Sequence, residues 1–347
     1  MSRPEQPSTP VTSLDVAQAA GVSSATVSRV LNNKGHVSPE TRRLVLQTAE
    51  RLGYVANPQA RSLAGGRSHV VGLLVHGMES SYMGAIVRGI DRALSAALYD
   101  LMLYTTHYRQ TQESDYVAAI TRGLADGLLL VLPRDPAAYL ASLQQQQYPY
   151  MLVDHQGLGD YRRSVGATNV QGAYEATRYL IELGHRRVGF ITGPQTLGCA
   201  VDRLAGYRAA MADAGLALDP ALIRPGEFFQ PQGFVCAEQL FALPERPTAI
   251  VASNDEIAFG VMEAARVHGL RLPEDVSVIG FDDTPRASQV HPPLTTIRQP
   301  LEQMGQVAAE RLLALIEDPT LVVERITLPT ELVIRGSCCP PDRSDKG

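Results

Sequence analysis

The sequence predicts two fold classes in one chain, a small all-α head and a large α/β body. In residues 12–53, apolar residues recur at helical spacing without strand-like alternation. From residue 69, short runs rich in Val, Ile and Leu alternate with amphipathic segments, which is typical of doubly wound parallel sheets. This second pattern continues to residue 337, which is longer than one common open sheet, so we expect two lobes.

The head begins with two short predicted helices within Leu14–Leu31, joined by a tight turn. Thr12 and Asp15 have the spacing of a capping box, and Gly21 ends the first helix because glycine adopts a left-handed backbone cheaply. Ser23 caps the second helix. Its inward residues are Val27, Val30 and Leu31, and its outward residues are Ser24, Ala25, Ser28 and Arg29.

A second helix with small and polar outward residues suits a helix-turn-helix that reads the DNA major groove. An ordinary helical hairpin is the alternative at this spacing.

Ser38 and Pro39 then begin a third helix, which Gly53 ends. The segment after it, with Asn57 as cap and Pro58 as first residue, is too short to be a stable helix alone. It is either a flexible linker or a helix that folds on a partner.

The distribution of charge favours a nucleic-acid-binding head. The whole chain has a formal charge of -5, which by itself argues against nucleic acid. Residues 1–68, however, hold eight basic and four acidic residues, whereas the rest holds 23 basic and 32 acidic residues. A basic head on an acidic body is typical of a DNA-binding module attached to a soluble sensor or enzyme.

The four cysteines form no Cys-x-x-Cys pair and no cluster with histidines, so we expect no metal, no cofactor and reduced thiols. The N-terminus lacks the apolar core of a signal peptide, and no apolar run reaches membrane-spanning length. We therefore expect a cytoplasmic protein. Residues 1–11 and 338–347 are predicted to be disordered.

The body begins with predicted strands and helices in alternation. The strands are expected at 70–76, 101–106, 126–133, 150–155, 187–193, 248–255 and 276–283, and strand-like runs follow at 326–337. The helices are expected at 83–97, 112–123, 172–183, 205–214, 256–268 and 299–316. Ligands of such sheets bind beyond the carboxyl ends of the strands, which is where Asp154, Asn254 and Asp282 fall.

Several segments together resemble the LacI/GalR family of bacterial transcriptional regulators over residues 12–337. They are TSLDVAQAAGVSSATVSRVLN, VSPETRRLVLQTAERLGY, NPQARSLAGG, ELGHRRVGFITGP, RLAGYRAAM, SNDEIAFGVMEA, LPEDVSVIGFDDTP and HPPLTTIRQP. The resemblance implies a helix-turn-helix domain at 12–57, a hinge helix at 58–68 and a periplasmic-binding-protein-like core at 69–337. The implied N-lobe covers about 69–168 and 298–324, and the implied C-lobe covers about 169–297 and 325–337.

The resemblance also implies a homodimer on an inverted-repeat DNA operator, with a small-molecule effector between the lobes that changes operator affinity. Ser24, Ala25 and Arg29 match the family's base-reading positions, and an arginine can fork onto a guanine edge. Ser23, Thr26 and Ser28 are better suited to phosphates. In the hinge, Leu63 matches a leucine wedged into the minor groove, with Asn57 and Arg61 as anchors beside it.

For the effector, the matching positions in the core are His76, Asp154, Arg203, Phe228, Asn254 and Asp282. Tyr82 and His107, in the loops after the first two strands, are further candidates. Carboxylates, an amide and a guanidinium suit the hydroxyls of a sugar, and an aromatic ring suits its apolar face. A nucleoside or purine is the second expectation, and core packing or helix capping is the alternative for each residue.

Two other functions have to be weighed against a repressor. One is a sugar-modifying enzyme with a DNA-binding head, and the other is a bare periplasmic-type binding protein. The chain contains no GxxxxGK[ST], GxGxxG or GxSxG motif, so we expect no catalytic residues. The basic head argues against the bare binding protein. The tail after Ser337 has no leucine heptads, so no tetramerising coiled coil is expected.

Overall fold

A computed structural model describes residues 11–31, 35–54, 67–107, 109, 113–134, 136–155 and 162–342. The chain separates into a head and a core. The predicted hinge residues Asn57, Arg61 and Leu63 lie outside the described residues, as do residues 1–10 and 343–347.

Three helices form the head: α1 (Ser13–Ala20), α2 (Ser24–Leu31) and α3 (Pro39–Arg51). The predicted capping box is present, since the Thr12 amide donates to Asp15 Oδ2 at 2.8 Å and the Asp15 amide donates to Thr12 Oγ1 at 3.3 Å. Gly21 ends α1 with a φ of 64°. The head core is formed by Val16, Ala17, Ala20, Val27, Val30, Val45 and Ala49.

The core consists of alternating strands and helices. The strands are β1 (Val70–Val75), β2 (Asp100–Thr105), β3 (Gly127–Val131), β4 (Tyr150–Val153), β5 (Ser164–Ala167), β6 (Val188–Ile191), β7 (Ile223–Arg224), β8 (Ala249–Ala252), β9 (Ser277–Asp282), β10 (Thr295–Arg298), β11 (Ile326–Leu328) and β12 (Glu331–Val333). The helices are α4 (Ser81–Ala96), α5 (Glu113–Thr121), α6 (Ala137–Gln145), α7 (Asn169–Leu183), α8 (Gly198–Asp213), α9 (Gln230–Phe241), α10 (Asp255–Val267) and α11 (Leu301–Glu317).

Two six-stranded sheets define an N-lobe and a C-lobe, as the sequence predicts. The N-lobe sheet has the order β2-β1-β3-β4-β5-β11 with parallel pairing throughout. The C-lobe sheet has the order β7-β6-β8-β9-β10-β12, in which β12 pairs antiparallel to β10. In both sheets the order reverses beside the first strand of the lobe, between β1 and β3 and between β6 and β8. Such switch points open a crevice for ligands at the carboxyl ends of the strands.

In the N-lobe, α11 packs closely on α4. A Cβ atom on Gly89 would lie 1.9 Å from the Glu302 carbonyl oxygen, and one on Gly305 would lie 2.1 Å from that of Ile86. Any larger residue at these positions would therefore push the helices apart. This contact fixes α11, which returns the chain from the C-lobe to the N-lobe.

The chain passes between the lobes three times, and the last crossing corrects a prediction. The predicted C-lobe segment 325–337 begins in the wrong lobe, because Ile326–Leu328 pairs with β5 of the N-lobe sheet. The crossing occurs at Pro329 and Thr330, between two three-residue strands. The strand-like character of this segment is predicted from the sequence, but the change of lobe within it is not.

The predicted disordered tail also begins too early. The Cys339 carbonyl oxygen lies 2.9 Å from His185 Nε2 and accepts a hydrogen bond from Ser277 Oγ at 3.1 Å. Cys338 Sγ donates to the Val278 carbonyl at 3.3 Å. These bonds to β9 and to the end of α7 hold the segment in place.

Among the described helices, none is long and apolar enough to cross a membrane.

Candidate functional site

A cleft of about 200 Å³ lies where the carboxyl ends of the two sheets face each other. His76 follows β1 and Leu132 follows β3, so both lie at the switch point of the N-lobe. Pro194 and Asn254 follow β6 and β8 at the switch point of the C-lobe. Seven of the eight predicted effector residues line this cleft: His76, Tyr82, Asp154, Arg203, Phe228, Asn254 and Asp282.

Arg203 lines the cleft between the two lobes, and only 2% of its surface is exposed. Its Nε donates to Asn169 Oδ1 at 2.8 Å and its Nη1 donates to the Ser253 carbonyl at 2.7 Å. Asp154 of the N-lobe and Asp282 of the C-lobe lie 4.0 and 3.8 Å from its guanidinium nitrogens. The direct hydrogen bonds of Arg203 thus go to neutral oxygens, which leaves acceptor capacity on both carboxylates for a ligand.

Each of the two carboxylates accepts a hydrogen bond from its own lobe or from a crossing segment. Tyr82 Oη donates to Asp154 Oδ2 at 2.7 Å, and burial raises the pKa of Tyr82 well above its ordinary value, so it remains a neutral donor. Gln299, between β10 and α11, donates from Nε2 to Asp282 Oδ1 at 2.7 Å. Burial raises the pKa of Asp282 above its ordinary value, although Arg203 opposes the shift.

The backbone is strained at three positions that line the cleft. Leu132, Asp154 and Asp282 have φ values of 50°, 54° and 121°, which non-glycine residues rarely adopt. Strain of this kind costs of order 1–3 kcal/mol and concentrates at functional sites. Each of these residues stands at the end of a strand, so the strain aims its side chain into the crevice.

Two predicted effector residues also have the structural roles that were considered as alternatives. Asn254 Oδ1 accepts from the Ile257 amide at 2.9 Å and caps α10. His76 Nε2 lies 2.9 Å from the Leu132 carbonyl, so it carries the proton, and Nδ1 accepts from Thr106 Oγ1 at 2.8 Å. Burial lowers the pKa of His76, which keeps the ring neutral.

Phe228 forms part of the apolar side of the cleft. A Cβ atom on Gly193 would lie 2.2 Å from its ring, so the close approach of the ring to the loop after β6 requires glycine. The Arg203 guanidinium carbon lies 5.7 Å from the centroid of the Phe228 ring and 3.8 Å from that of Phe281. The cleft therefore combines hydrogen-bonding groups with an aromatic face.

In the head, α2 presents the side chains that the sequence predicts. Val27 and Val30 are buried, whereas Ser24, Ala25, Ser28 and Arg29 are exposed. Ser23 Oγ accepts from the Thr26 amide at 3.1 Å, and the two hydroxyl oxygens lie 2.9 Å apart. Ser23 and Thr26 thus serve the helix cap.

Comparisons with known proteins decide the family. Residues 12–57 match the family described as bacterial regulatory proteins, lacI family, and residues 177–338 match a periplasmic binding protein-like domain. The ribose operon repressor of Escherichia coli K12 is 35% identical over 324 residues, covering 93% of this chain and 98% of that protein. The chain belongs to the LacI family.

Two solved structures of transcriptional regulators share this architecture. The lac repressor dimer bound to operator and the anti-inducer ONPF superimposes with a TM-score of 0.84 at 30% identity, covering 95% of this chain and all of that one. The transcriptional regulator CelR in complex with cellobiose gives a TM-score of 0.71 at 33% identity, covering 94% and 99%. Both the helix-turn-helix head and the two-lobed core of this LacI-family chain are therefore established.

Two predicted positions differ from expectation. His107 does not line the cleft: it is exposed and its Nε2 lies 3.1 Å from Thr105 Oγ1. The reason is that β2 is an edge strand, so the loop after it lies away from the switch point. Tyr82 does line the cleft, but from the first turn of α4 rather than from a loop.

Several ionisable and aromatic residues of the cleft were not predicted from the sequence. They are Glu79, Arg134, Glu227, Phe229 and Glu256. Glu79 and Arg134 lie in the loops after β1 and β3, the two strands at the N-lobe switch point. The strand order, which the sequence alone does not provide, is the signal that would have selected these loops.

Proposed function

We propose that this LacI-family protein is a sequence-specific repressor whose affinity for its DNA operator is controlled by a sugar bound between the two lobes. The observation that carries the proposal is the placement of Arg203 between Asp154 and Asp282, which come from opposite lobes. A ligand that engages both carboxylates contacts both lobes and so has different affinities for different lobe angles. Such differential binding is what couples a ligand to a conformational equilibrium.

The relatives support the operator and the dimer in this proposal. One solved relative is a dimer on its operator, and another relative is named as the repressor of a ribose operon. In the proposed dimer, the exposed face of α2 reads one half-site of an inverted repeat. Asn57, Arg61 and Leu63 remain predicted contacts of a hinge at 58–68, and domain limits at 57 and 68 belong to the same proposal.

We also propose that the protein acts by binding alone, in the cytoplasm, without catalysis. Its relatives of similar length are transcriptional regulators, and the chain shows none of the nucleotide or hydrolase motifs sought in its sequence. The ligands of the cleft would therefore leave it unchanged. Incubation with any bound sugar followed by chromatography should return the sugar intact.

The proposal is tested by selecting duplexes from a random DNA library with the purified full-length protein. The expected result is an inverted repeat, which a dimer of identical heads requires. Affinity for this site should fall steeply with salt, because phosphate contacts release counterions. Recovery of sequences without two-fold symmetry would contradict the proposed dimeric reader.

A further inference from the structure

More acidic than basic side chains line the cleft. Among the described residues that line it, five carry carboxylates: Glu79, Asp154, Glu227, Glu256 and Asp282. Two carry guanidinium groups, Arg134 and Arg203. The neutral state of His76, which follows from its burial, adds no positive charge. The lining therefore has more carboxyl groups than cations, a surplus that burial reduces by raising the pKa of Asp282 and of Glu256.

The inner part of the cleft contains no positive charge that is available to an anion. Arg203 lies within 4.0 Å of both Asp154 and Asp282, and all three side chains are almost fully buried. Both carboxyl groups therefore already face this one guanidinium, although burial raises the pKa of Asp282 and so reduces its charge. An anionic group brought to Arg203 would meet both carboxylates at short range, where burial weakens screening by water.

The N-lobe wall reinforces this surplus. Glu113 is 2% exposed and its Oε1 lies 3.2 Å from His76 Nε2, directly behind the cleft. The same oxygen accepts from the Arg134 amide at 3.0 Å. The buried carboxylate of Glu113 is therefore close to the wall that contains Arg134, and it offsets part of the positive charge there.

The C-lobe side of the cleft opening is also acidic. Glu227 is exposed, and Glu256 is half-buried with its Oε2 3.9 Å from Arg286 Nη1. Arg286 Nη1 also donates to Gln230 Oε1 at 2.8 Å, so it is shared between two partners. The apolar side chains beside these glutamates include Phe228 and Phe229, the latter 42% exposed.

From this arrangement we infer that the effector is an uncharged sugar and that the carboxylate surplus excludes uronates and sugar phosphates. The inference rests on the proposed function. Hydroxyl groups donate hydrogen bonds to carboxylates, and such charge-assisted bonds are strong. An anionic sugar would lose hydration on entry, and of the two cations that line the cleft, Arg203 already faces two carboxyl groups and Arg134 lies beside Glu113. The aromatic side chains accept the apolar face of a neutral ring.

The test is calorimetric titration of the full-length protein with matched sugars. Neutral aldoses and disaccharides are compared with the uronates and the 6-phosphates of the same sugars, at low and at high salt. We expect every uronate and phosphate to bind roughly tenfold or more weakly than its neutral parent. Added salt should narrow the difference, because part of the repulsion crosses solvent.

A charge-reversal variant tests whether the glutamates cause the selection. Glu227→Lys should reduce the ratio of neutral to anionic affinity by about threefold or more, since it replaces repulsion by attraction at the cleft opening. Glu182→Lys is the matched control, because it makes the same charge reversal at an exposed residue of α7 that does not line the cleft. The control should leave the ratio unchanged.

The outcomes separate this inference from the proposed function. An anionic sugar that binds as tightly as its neutral parent, or more tightly, overturns the inference, and the proposed function stands if that sugar changes operator affinity. If neither class of sugar binds, both the sugar-effector proposal and this inference fall. A ratio that does not respond to Glu227→Lys would overturn the role given to the glutamate.

Discussion

Asp282 combines a strained backbone, a buried carboxylate and a hydrogen bond from a segment that crosses between the lobes. Its neighbour Asp283 also has a positive φ, of 57°, and Arg298 Nε donates to Asp283 Oδ2 at 2.7 Å. The turn is therefore held by an ion pair on one side and by Gln299 on the other. This arrangement positions the Asp282 carboxylate for a ligand.

Asp282→Asn should weaken effector binding by roughly tenfold or more, because it replaces one acceptor oxygen by an NH2 donor and removes the charge that strengthens hydrogen bonds from hydroxyl groups. Operator binding without effector should stay unchanged, since the substitution lies in the core. Calorimetry with the sugar and fluorescence anisotropy with the operator measure the two effects. A normal effector response in this variant would remove Asp282 from the site.

Asp255 provides a pH-dependent prediction. Burial raises the pKa of Asp255 from 3.8 to about 7. Hydrogen bonds donated by Thr296 Oγ1 at 2.6 Å and by the Thr284 amide at 2.7 Å oppose this shift, because they favour the ionised form. The folded protein therefore retains a proton that the unfolded chain has lost between these two pH values. The stabilising contribution of this bound proton is present at low pH and is lost as the pH rises toward ~7. The free energy of unfolding decreases over this range by at most about 1.4 kcal/mol per pH unit.

Asp255→Asn removes this titration, so the stability of the wild type relative to the variant should decrease between pH ~5 and pH ~8. Urea unfolding of both proteins at the two pH values measures the difference. A constant difference would show that Asp255 does not carry the proton.

At the level of single residues, the sequence could predict the strand-end side chains of the site. Asp154, Asn254 and Asp282 each follow an apolar run, which is a local pattern. Arg203 lies within a helix, where no periodicity marks it, and only the family resemblance identified it. Gln299 was placed at the start of a helix and its contact with Asp282 was missed, because that contact depends on the path between the lobes.

Among the elements, the most apolar strands and most of the long helices were predicted to within a few residues, whereas α8 begins at Gly198, well before the predicted start at residue 205. The short strands β5, β7 and β10 were missed, since their stability comes from pairing with strands distant in sequence. Helix α6 was missed as well, and so was helix α9. Helix α9 contains Gly233, which weakens the helical pattern, yet a Cβ atom there would lie 2.4 Å from the Ile257 carbonyl oxygen of α10.

The recognition helix α2 carries the prediction for DNA. Arg29→Ala should reduce the preference for the selected operator by about 1–3 kcal/mol per head and leave effector affinity unchanged. Arg51→Ala is the control, because Arg51 is also exposed but lies at the end of α3. Fluorescence anisotropy measures the affinity of each variant for the selected operator and for a scrambled duplex, and the ratio of the two affinities distinguishes the variants. Equal losses in both variants would indicate a general charge effect instead of base reading.

The segment between β10 and α11 connects the site to the lobe crossing. Gln299→Met keeps the length of the side chain but removes the hydrogen bond to Asp282, so we expect the effect of sugar on operator affinity to fall by about fivefold or more. Gln303→Met, at an exposed position in the first turn of α11, is the control. An unchanged effector response in Gln299→Met would show that this bond does not transmit binding.

Across the whole molecule, the function depends on two sites in separate parts of the chain. The head supplies the exposed face of α2, and the core supplies a cleft whose charged groups come from both lobes. Coupling between such sites is a free energy, typically worth a 5- to 150-fold change in affinity, and it acts equally in both directions. Saturating operator should therefore change sugar affinity by the same factor as saturating sugar changes operator affinity.

The most direct test of this account is the affinity of the full-length protein for its selected operator, measured by fluorescence anisotropy with and without a saturating neutral sugar that binds the cleft. We expect a change of about fivefold or more, and its direction shows whether the sugar releases or recruits the protein. Equal operator affinity with the cleft empty and the cleft filled would contradict the control of DNA binding by the site between the lobes.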